Sequence, residues 1–250
     1  MLVAIIQVRA SSERLPYKAF LDLAGEPMLV RVAERVGASS LVNKIVVATS
    51  TEPSDETIAE VCARQAITCF RGSLDDVLAR FLGVATLYRA TDIVRITGDC
   101  PLVDPSIIDL CVEAYRAGAY EYQSNVAPGE RTFPRGLDVE VISVGALERA
   151  SVEVTDDADR EHVTSFVWKN KGSGFRVGPI LTALPEYAGS FRLTVDYKED
   201  YDLMRHLYEK FYVRGGLISI PKVLRYLAQN PTIAAMNAFR EAEHRARINV

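Results

Sequence analysis

Short apolar segments rich in β-branched residues alternate with longer amphipathic segments through the first half of the chain, and this order restricts the possible folds more than any other feature. The pattern predicts strands over residues 2–7, 44–49, 67–70 and 92–97, and helices over residues 28–37, 54–66, 74–88 and 105–117. Ser54 and Asp104 stand where they can cap two of these helices. Strands that alternate with helices form parallel sheets, so we expect an α/β fold with a mostly parallel, doubly wound sheet.

The second half of the chain loses this alternation. Strands are predicted over residues 137–143, 175–180 and 191–195, and helices over 159–170, 199–212, 221–229 and 232–247. The last three helices make a helical C-terminal region over 199–250. The region near 118–145 is expected to be an arm or long loop, because Pro128, Gly129 and Pro134 favour turns. No Gly/Ser-rich linker divides the chain, so a single domain over residues 1–250 is predicted.

The composition argues against several classes of protein. The formal net charge is −4 and no long basic run is present, so nucleic-acid binding is not expected. No apolar run approaches the roughly 20 residues of a membrane span, and no signal peptide is expected. The four cysteines form no CxxC pair and are typical of reduced thiols, which predicts a cytoplasmic protein. The three histidines lie far apart in the sequence, which argues against a zinc site.

A basic loop follows the first predicted strand. Arg9, Arg14 and Lys18 accompany Ser11 and Ser12 within ten residues, but the loop lacks both the GxGxxG and the GxxxxGK[ST] patterns. A loop of this kind can still hold a polyphosphate, because arginine offers a planar fork to phosphate oxygens and lysine a compact charge. A solvated basic turn is an equally good interpretation of this loop alone.

Two aspartates stand at the ends of predicted strands, where ligands bind in open α/β sheets. Asp99 follows strand 92–97, and Asp196 follows strand 191–195. Gly98 is expected to let the backbone approach a ligand closely. A carboxylate in such a place is costly unless it binds a cation or a donor, and Mg²⁺ typically uses one or two carboxylates together with phosphate oxygens. Two such carboxylates opposite a basic loop suit metal-assisted nucleotidyl transfer.

Seven segments, in the same order along the chain, resemble the sugar-acid cytidylyltransferases. These segments are 9–18, 70–73, 76–78, 97–105, 134–141, 160–164 and 192–196. The family includes the CMP-KDO and CMP-N-acetylneuraminate synthetases, and the resemblance is closest to its spore coat polysaccharide biosynthesis (SpsF-like) members. It covers roughly residues 1–212. Tyr17 departs from the family pattern, which usually has Gly there, and a bulky residue beside Lys18 is expected to narrow the approach to the β- and γ-phosphates.

The resemblance implies a Rossmann-like nucleotide-diphospho-sugar transferase fold with a small dimerisation and acceptor subregion. It also implies CTP as donor, a sugar acid or related polyhydroxy compound as acceptor, and Mg²⁺ as cofactor. By position, the nucleotide site would comprise Arg9, Ser11, Ser12, Arg14, Lys18, Arg71, Thr97 and Asp99. Catalysis would depend on Arg9, Lys18, Asp99 and Asp196, of which the two aspartates would bind the metal ion.

The acceptor side is expected near the predicted arm. Its candidate residues are Arg135, Asp138, Glu140, Glu161 and His162. Asp138 and Glu140 would share one face of strand 137–143 and point into the cleft, and a solvent-facing strand edge is an equal alternative. A homodimer is expected from the family and from Tyr120, Tyr122 and Phe133, which are too apolar for a solvated loop and suit a partner surface.

Two other activities remain open from the residues alone. The phosphate and metal residues do not read the base, so a nucleotidyltransferase that uses another nucleoside triphosphate is possible. A glycosyltransferase that uses a nucleotide sugar is the other alternative. Such enzymes normally carry a DxD-type metal motif, whereas Gly98, Asp99 and Cys100 follow the strand here, which argues against that activity.

Overall fold

The computed structural model describes residues 1–126, 131–172, 174–241 and 243. Its strands are β1 (Leu2–Gln7), β2 (Asp22–Leu23), β3 (Glu26–Pro27), β4 (Lys44–Ser50), β5 (Cys69–Gly72), β6 (Asp92–Thr97), β7 (Tyr122–Ser124) and β8 (Glu140–Ser143). Its helices are α1 (Met28–Gly37), α2 (Glu56–Arg64), α3 (Val77–Tyr88), α4 (Pro105–Ala117), α5 (Val144–Glu153), α6 (Asp157–Glu161), α7 (Ser165–Trp168), α8 (Lys198–Phe211), α9 (Ile220–Gln229) and α10 (Pro231–Ala234).

Six of the strands form one sheet in the order β5-β4-β1-β6-β8-β7. The first four are parallel to one another, whereas β8 is antiparallel to both β6 and β7. The expected α/β fold with a mostly parallel sheet is therefore confirmed. Because β1, β4, β5 and β6 run in one direction, the loops that follow them meet at a single edge of the sheet.

Apolar side chains cover both faces of this sheet. Leu2, Ala4 and Ile6 of β1 point to one face, where α1, α2, α4, α8 and α9 pack. Val3 and Ile5 point to the other face, where α3, α5 and α7 pack. This arrangement explains why β1 is an almost continuous apolar run, since a central parallel strand is buried on both sides.

The elements of the first half follow their sequence signals closely. Strands 2–7 and 92–97 and helices 28–37 and 105–117 have the predicted bounds, and Asp104 caps α4 by accepting the Ser106 N–H at 2.9 Å. The prediction that Ser54 caps a helix is wrong. A 3-10 turn over Pro53–Asp55 precedes α2, which receives no side-chain cap. Helix α3 begins at Val77, later than predicted, because Asp76 caps it through the Ala79 N–H at 2.9 Å.

Several predictions for the second half are wrong. The predicted strands 175–180 and 191–195 form only isolated pairings, Tyr122 with Val177 and Arg135 with Arg192. The predicted strand 137–143 is reduced to β8, and the segment 118–145 contains both β7 and β8 as well as irregular structure. The predicted helix 159–170 is divided into α6 and α7, because Val163 between them has a positive φ of 57° that no α-helix continues.

Near the C-terminus, α8 and α9 confirm two of the three predicted helices. The third, 232–247, is interrupted after α10 by a turn at 235–237, and its predicted end lies outside the described residues, as do Pro128 and Gly129. The structural reason given for a dimer is wrong, because Tyr122 and Phe133 are 5% and 2% exposed and lie in the chain's own core. Within the described ranges, no helix is long and apolar enough to cross a membrane.

Candidate active site

A cleft of about 310 Å³ opens at the C-terminal ends of β1 and β6. Its walls come from the loop after β1, the start of α3, the loop after β6, the end of α6 and the segment before α8. The lining residues are Gln7, Val8, Arg9, Ser12, Glu13, Arg14, Lys18, Ala19, Leu74, Val77, Arg80, Thr97, Gly98, Asp99, Glu161 and Asp196. The cleft therefore brings together the predicted basic loop and both predicted strand-end aspartates.

The basic loop is closed on a single peptide group. The Ala10 carbonyl accepts the N–H of Ser12 at 3.0 Å and that of Tyr17 at 3.2 Å. Tyr17 has a φ of 56°, in the left-handed region that glycine adopts without strain, and this accounts for the glycine usual in the family at this position. The Tyr17 side chain is 58% exposed and does not line the cleft, so the expected narrowing of the loop is not observed.

Gly98 follows β6 and lies against the end of β1 and the residue after it. Its N–H donates to the Gln7 carbonyl at 2.8 Å. A Cβ atom on Gly98 would lie 2.9 Å from the Cβ of Val8. Such an approach is closer than carbon atoms tolerate, so the contact with Val8 is sufficient reason for glycine at this position.

Lys18 lies between the two predicted metal ligands. Its Nζ donates to Asp99 Oδ2 at 2.9 Å, to Asp196 Oδ1 at 3.0 Å and to the Val195 carbonyl at 2.7 Å. Asp196 also accepts hydrogen bonds from Arg14 at 2.7 Å and from Arg192 at 2.8 Å. The structure thus brings the two carboxylates within reach of one cation, which here is the Lys18 ammonium group.

These contacts keep all three groups charged. Burial acts to raise the pKa of Asp99 and of Asp196, but the charge and hydrogen bonds of Lys18, together with Thr97 at Asp99 and Arg14 at Asp196, hold both pKa values below their ordinary range. Burial acts to lower the pKa of Lys18, and the two carboxylates raise it above its ordinary value. The cluster also includes Asp200, which is buried and accepts two hydrogen bonds from Arg192. Three carboxylates, Asp99, Asp196 and Asp200, therefore face three cations, Lys18, Arg14 and Arg192.

The carboxylates of Asp99 and Asp196 are suitable ligands for a divalent metal ion such as Mg²⁺. In the part of the chain that the structure describes, no group of three or more His, Cys, Asp and Glu residues is able to hold a metal ion. Asp99 and Asp196 are a pair of carboxylates close enough to share one cation. Mg²⁺ is commonly bound in this way, by one or two carboxylates together with water and substrate phosphates.

Other predicted site residues reach the cleft with fewer contacts. Arg9 is about half exposed, and its guanidinium lies 4.0 Å from Glu161, which was predicted for the acceptor side. Ser12 accepts the Leu15 N–H at 3.4 Å, and Thr97 lies 3.2 Å from the Cys100 thiol. Arg9 is thus free to turn towards a ligand in the cleft.

Two residues of the predicted nucleotide set do not line the cleft. Ser11 is exposed on the outside of the loop. Arg71 donates to the carbonyls of Ser50 at 3.0 Å and Glu52 at 3.2 Å and forms an ion pair with Glu56. Arg71 therefore binds the connection between β4 and α2.

Four of the five predicted acceptor residues also lie away from the lining. Arg135 binds Glu241 at 2.8 and 3.1 Å, and His162 is exposed. Asp138 precedes β8 and pairs with Arg131, so it does not share a strand face with Glu140.

Glu140 is buried and fully engaged. It pairs with Arg95 and accepts the hydroxyls of Tyr122 and Thr164, each at 2.6 Å. Its carboxylate therefore has its partners within the chain.

Arg80 is a cleft residue that the sequence analysis missed. It belongs to α3, is 3% exposed and donates through Nη1 to the Ser73 carbonyl at 2.8 Å, while its Nε has no hydrogen-bond partner among the residues that the structure describes. Burial lowers its pKa, and the nearby charge of Arg9 lowers it further. The available signal was an arginine inside an otherwise apolar helix, where a buried cation is costly unless it serves a ligand.

Comparison with known proteins gives consistent matches. The family model described as cytidylyltransferase matches residues 3–161. The spore coat polysaccharide biosynthesis protein SpsF of Bacillus subtilis is 32% identical over 93% of this chain and 96% of its own length. A cytidylyltransferase structure from Leptospira borgpetersenii has a TM-score of 0.83 and 32% identity, and covers 93% of this chain and 96% of that chain.

A more distant likeness extends the fold comparison. A structure of CMP:2-keto-3-deoxy-manno-octonic acid synthetase in complex with CTP has a TM-score of 0.61. It is 18% identical and covers 84% of this chain and 98% of that chain. At this identity the likeness concerns the fold alone.

Proposed function

Because the chain belongs to the cytidylyltransferase family, we propose that it transfers the cytidylyl group of CTP to a sugar acid or related polyhydroxy acceptor and releases pyrophosphate. We also propose Mg²⁺ as its cofactor. The name of the Bacillus subtilis relative supports a place for the reaction in the synthesis of a surface polysaccharide or glycoconjugate.

The observation that carries the proposal is the position of Lys18. Its ammonium group contacts Asp99 and Asp196 at once, inside a cleft that Arg9 and Arg14 of the same loop also line. Cations and carboxylates within a few ångströms of one another supply both requirements of nucleotidyl transfer, which are phosphate binding and metal binding.

We propose that each group of residues has its own task in the reaction. Arg9 donates two hydrogen bonds to phosphate oxygens through its planar guanidinium group. Lys18 stabilises the negative charge that grows on the departing pyrophosphate. Asp99 and Asp196 hold the metal ion, which when bound neutralises the α-phosphate and the departing pyrophosphate. Lys18 can turn from the carboxylates to the phosphates because its stem is flexible and its ammonium group needs no fixed direction.

Among the predicted acceptor residues, Glu161 is the one whose position supports contact with a ligand. It lines the cleft next to Arg9 and is about half exposed. The engaged carboxylates of Asp138 and Glu140 support a role in shaping the wall behind the cleft, rather than direct contact with the acceptor.

A screen of CTP, UTP, ATP and GTP against sugar acids and neutral sugars tests this function, with pyrophosphate release as the readout. We expect release with CTP, dependent on Mg²⁺. Asp196→Asn is expected to lower the rate by about 10²–10³-fold or more. The matched control is Asp202→Asn, which removes a carboxylate that pairs with the exposed Lys198 on α8 and is expected to retain full activity.

The two alternatives give different results in the same screen. Equal turnover of all four triphosphates would support a nucleotidyltransferase without preference for cytosine. If finished nucleotide sugars are added to this screen, their hydrolysis or the transfer of their sugar, with no pyrophosphate released from any triphosphate, would support a glycosyltransferase and contradict the proposal.

A further inference from the structure

Asp55 is a fully buried carboxylate that the proposed reaction does not use. It ends the 3-10 turn Pro53–Asp55, immediately before α2. One oxygen accepts the Ala10 N–H at 2.7 Å. The other accepts the Thr49 hydroxyl at 2.9 Å, the Ser50 N–H at 3.0 Å and the Ser50 hydroxyl at 2.5 Å.

This arrangement is unusual in two respects. Asp55 occupies the N-cap position of α2, yet its side chain makes no capping hydrogen bond there. Among the described residues, no Lys or Arg forms an ion pair with it, and the four hydrogen bonds to the carboxylate come from neutral donors. The charge of Arg80 acts on it from beyond ion-pair distance. Burial would raise the pKa of Asp55, and these donors hold it below its ordinary value. A charge that is costly to bury and does not serve its helix is expected to serve a neighbouring structure.

The neighbouring structure is the basic loop of the cleft. Asp55 fixes the N–H of Ala10, and the carbonyl of the same residue accepts the N–H groups of Ser12 and Tyr17. Ala10 is 1% exposed. Ala10 thus holds the loop from Arg9 to Tyr17 together through its carbonyl group. Its N–H binds Asp55, which in turn binds Thr49 and Ser50 at the end of β4.

We propose that Asp55 is a positioning residue that sets the conformation of this loop before the nucleotide binds. The proposal rests on the proposed function, because it assumes that the loop binds phosphate. Lys18 has anchors of its own in Asp99, Asp196 and the Val195 carbonyl. Loss of Asp55 should therefore loosen the part of the loop that holds Arg9 and Ser12 and leave Lys18 in place.

Asp55→Asn tests this inference, because it keeps the shape and removes the charge. A hydrogen bond to a charged group is worth more than a neutral one, so we expect the Kd for CTP with Mg²⁺ to rise about tenfold or more. Without any nucleotide, the Ala10 amide should exchange its hydrogen faster, as read by hydrogen exchange of the segment 9–18.

Asp109 provides a matched control. It accepts the Ser39 and Ser40 hydroxyls at 2.5 and 2.7 Å and the Ser40 and Leu41 N–H groups at 3.0 and 3.3 Å, so it also holds a loop through neutral donors. This loop follows α1 and does not line the cleft. Asp109→Asn should lose stability while CTP affinity and exchange in segment 9–18 stay as in the wild type.

The outcomes separate the possible explanations. Weaker CTP binding and faster Ala10 exchange in Asp55→Asn alone would support the proposal. Wild-type values for both in Asp55→Asn would overturn it, and so would equal weakening of CTP binding in both variants. If the wild type itself does not bind CTP, the proposed function fails, and the exchange measurement still decides whether Asp55 holds the loop. Should Asp55→Asn not fold, Asp55→Ser leaves a neutral hydroxyl with room for water, and the same two measurements and outcomes apply.

Discussion

Replacing Lys18 by Met removes the cation between Asp99 and Asp196 and keeps an unbranched side chain of similar length. In the structure, the Lys18 ammonium group lies between these carboxylates, at 2.9 and 3.0 Å from their oxygens. A divalent ion that enters alone must displace it. The expected result is that Lys18→Met binds a divalent metal ion in the absence of nucleotide more tightly than the wild type does.

The size of the effect follows from the charges of the cluster. In the wild type, three carboxylates balance three cations, and the variant leaves one net negative charge. Two unit charges about 4 Å apart interact by about 1 kcal/mol in water and by about 4 kcal/mol at an effective dielectric constant of about 20. Lys18 is 15% exposed and Asp99 25% exposed, so the value falls between these limits. The lower limit of about 1 kcal/mol corresponds to a factor of about five in affinity, which is the smallest change expected.

Titration of Mn²⁺ against nucleotide-free protein, followed by electron paramagnetic resonance of the free ion, measures this affinity. Lys198→Met is the control, because Lys198 pairs with Asp202 at 2.5 Å and is 75% exposed, away from the cleft. It should bind Mn²⁺ as the wild type does. Equal Mn²⁺ affinity in the wild type and Lys18→Met would show that the lysine does not compete with the metal ion, and would refute the reasoning.

Three further predictions concern the wall of the cleft, the fold and the pH dependence of stability. Arg80→Met should raise the Kd for CTP about tenfold, because it removes a buried cation from the cleft. Arg64→Met, on the exposed face of α2, should leave this Kd unchanged. Equal CTP affinities of Arg80→Met and the wild type, measured by calorimetry, would contradict a ligand-binding role for Arg80. Gly136→Ala should lower the free energy of unfolding by about 2 kcal/mol or more in denaturant titration, because φ is 98° and the new Cβ would lie 2.4 Å from the Leu193 carbonyl carbon. The control is Gly145→Ala, whose Cβ meets nothing within 4 Å and which should be neutral or stabilising. Similar losses of stability in both variants would contradict this steric explanation. Asp55 has a lowered pKa in the native state, so its charge contributes stability that is present above its unfolded pKa of about 4 and is lost as pH falls through the native pKa. The difference in unfolding free energy between wild type and Asp55→Asn should therefore shrink below about pH 4, and a difference that grows there would contradict the assignment.

The sequence predicted the first half of the fold well because its signals are local. Helix α1 and strand β6 have apolar periodicities that match their observed burial, and Asp104 marks the start of α4 in the expected way. The predictions for the second half were wrong where buried residues lie in segments that do not pair as β-strands. Phe175, Leu193 and Val195 are all buried, yet they enter the core from irregular segments, and alternation of apolar residues does not distinguish these from strands.

The candidate site was predictable to the extent that its residues follow strand ends. Lys18 and Asp99 could be placed together because β1 and β6 are parallel neighbours, and Asp196 joins them although no strand precedes it. Asp55 could not be found, because it looks like an ordinary residue at a helix start. Its proposed role depends on the direction of the Asp55 side chain, which accepts the N–H of Ala10, 45 positions earlier in the sequence. A contact between residues so far apart cannot be predicted from a local sequence pattern.

Activation of CTP for attack by a sugar-like acceptor is the reaction that we propose for this cleft. It is tested most directly with CTP that carries a radioactive phosphorus at the α-position, incubated with Mg²⁺, the protein and the sugar fraction of a bacterial extract. We expect the label to move to a CMP-linked product, the pyrophosphate released to be unlabelled, and Asp196→Asn to slow the transfer by about 10²–10³-fold or more. Label that stays in CTP with every sugar fraction, or transfer in Asp196→Asn at close to the wild-type rate, would contradict the proposal.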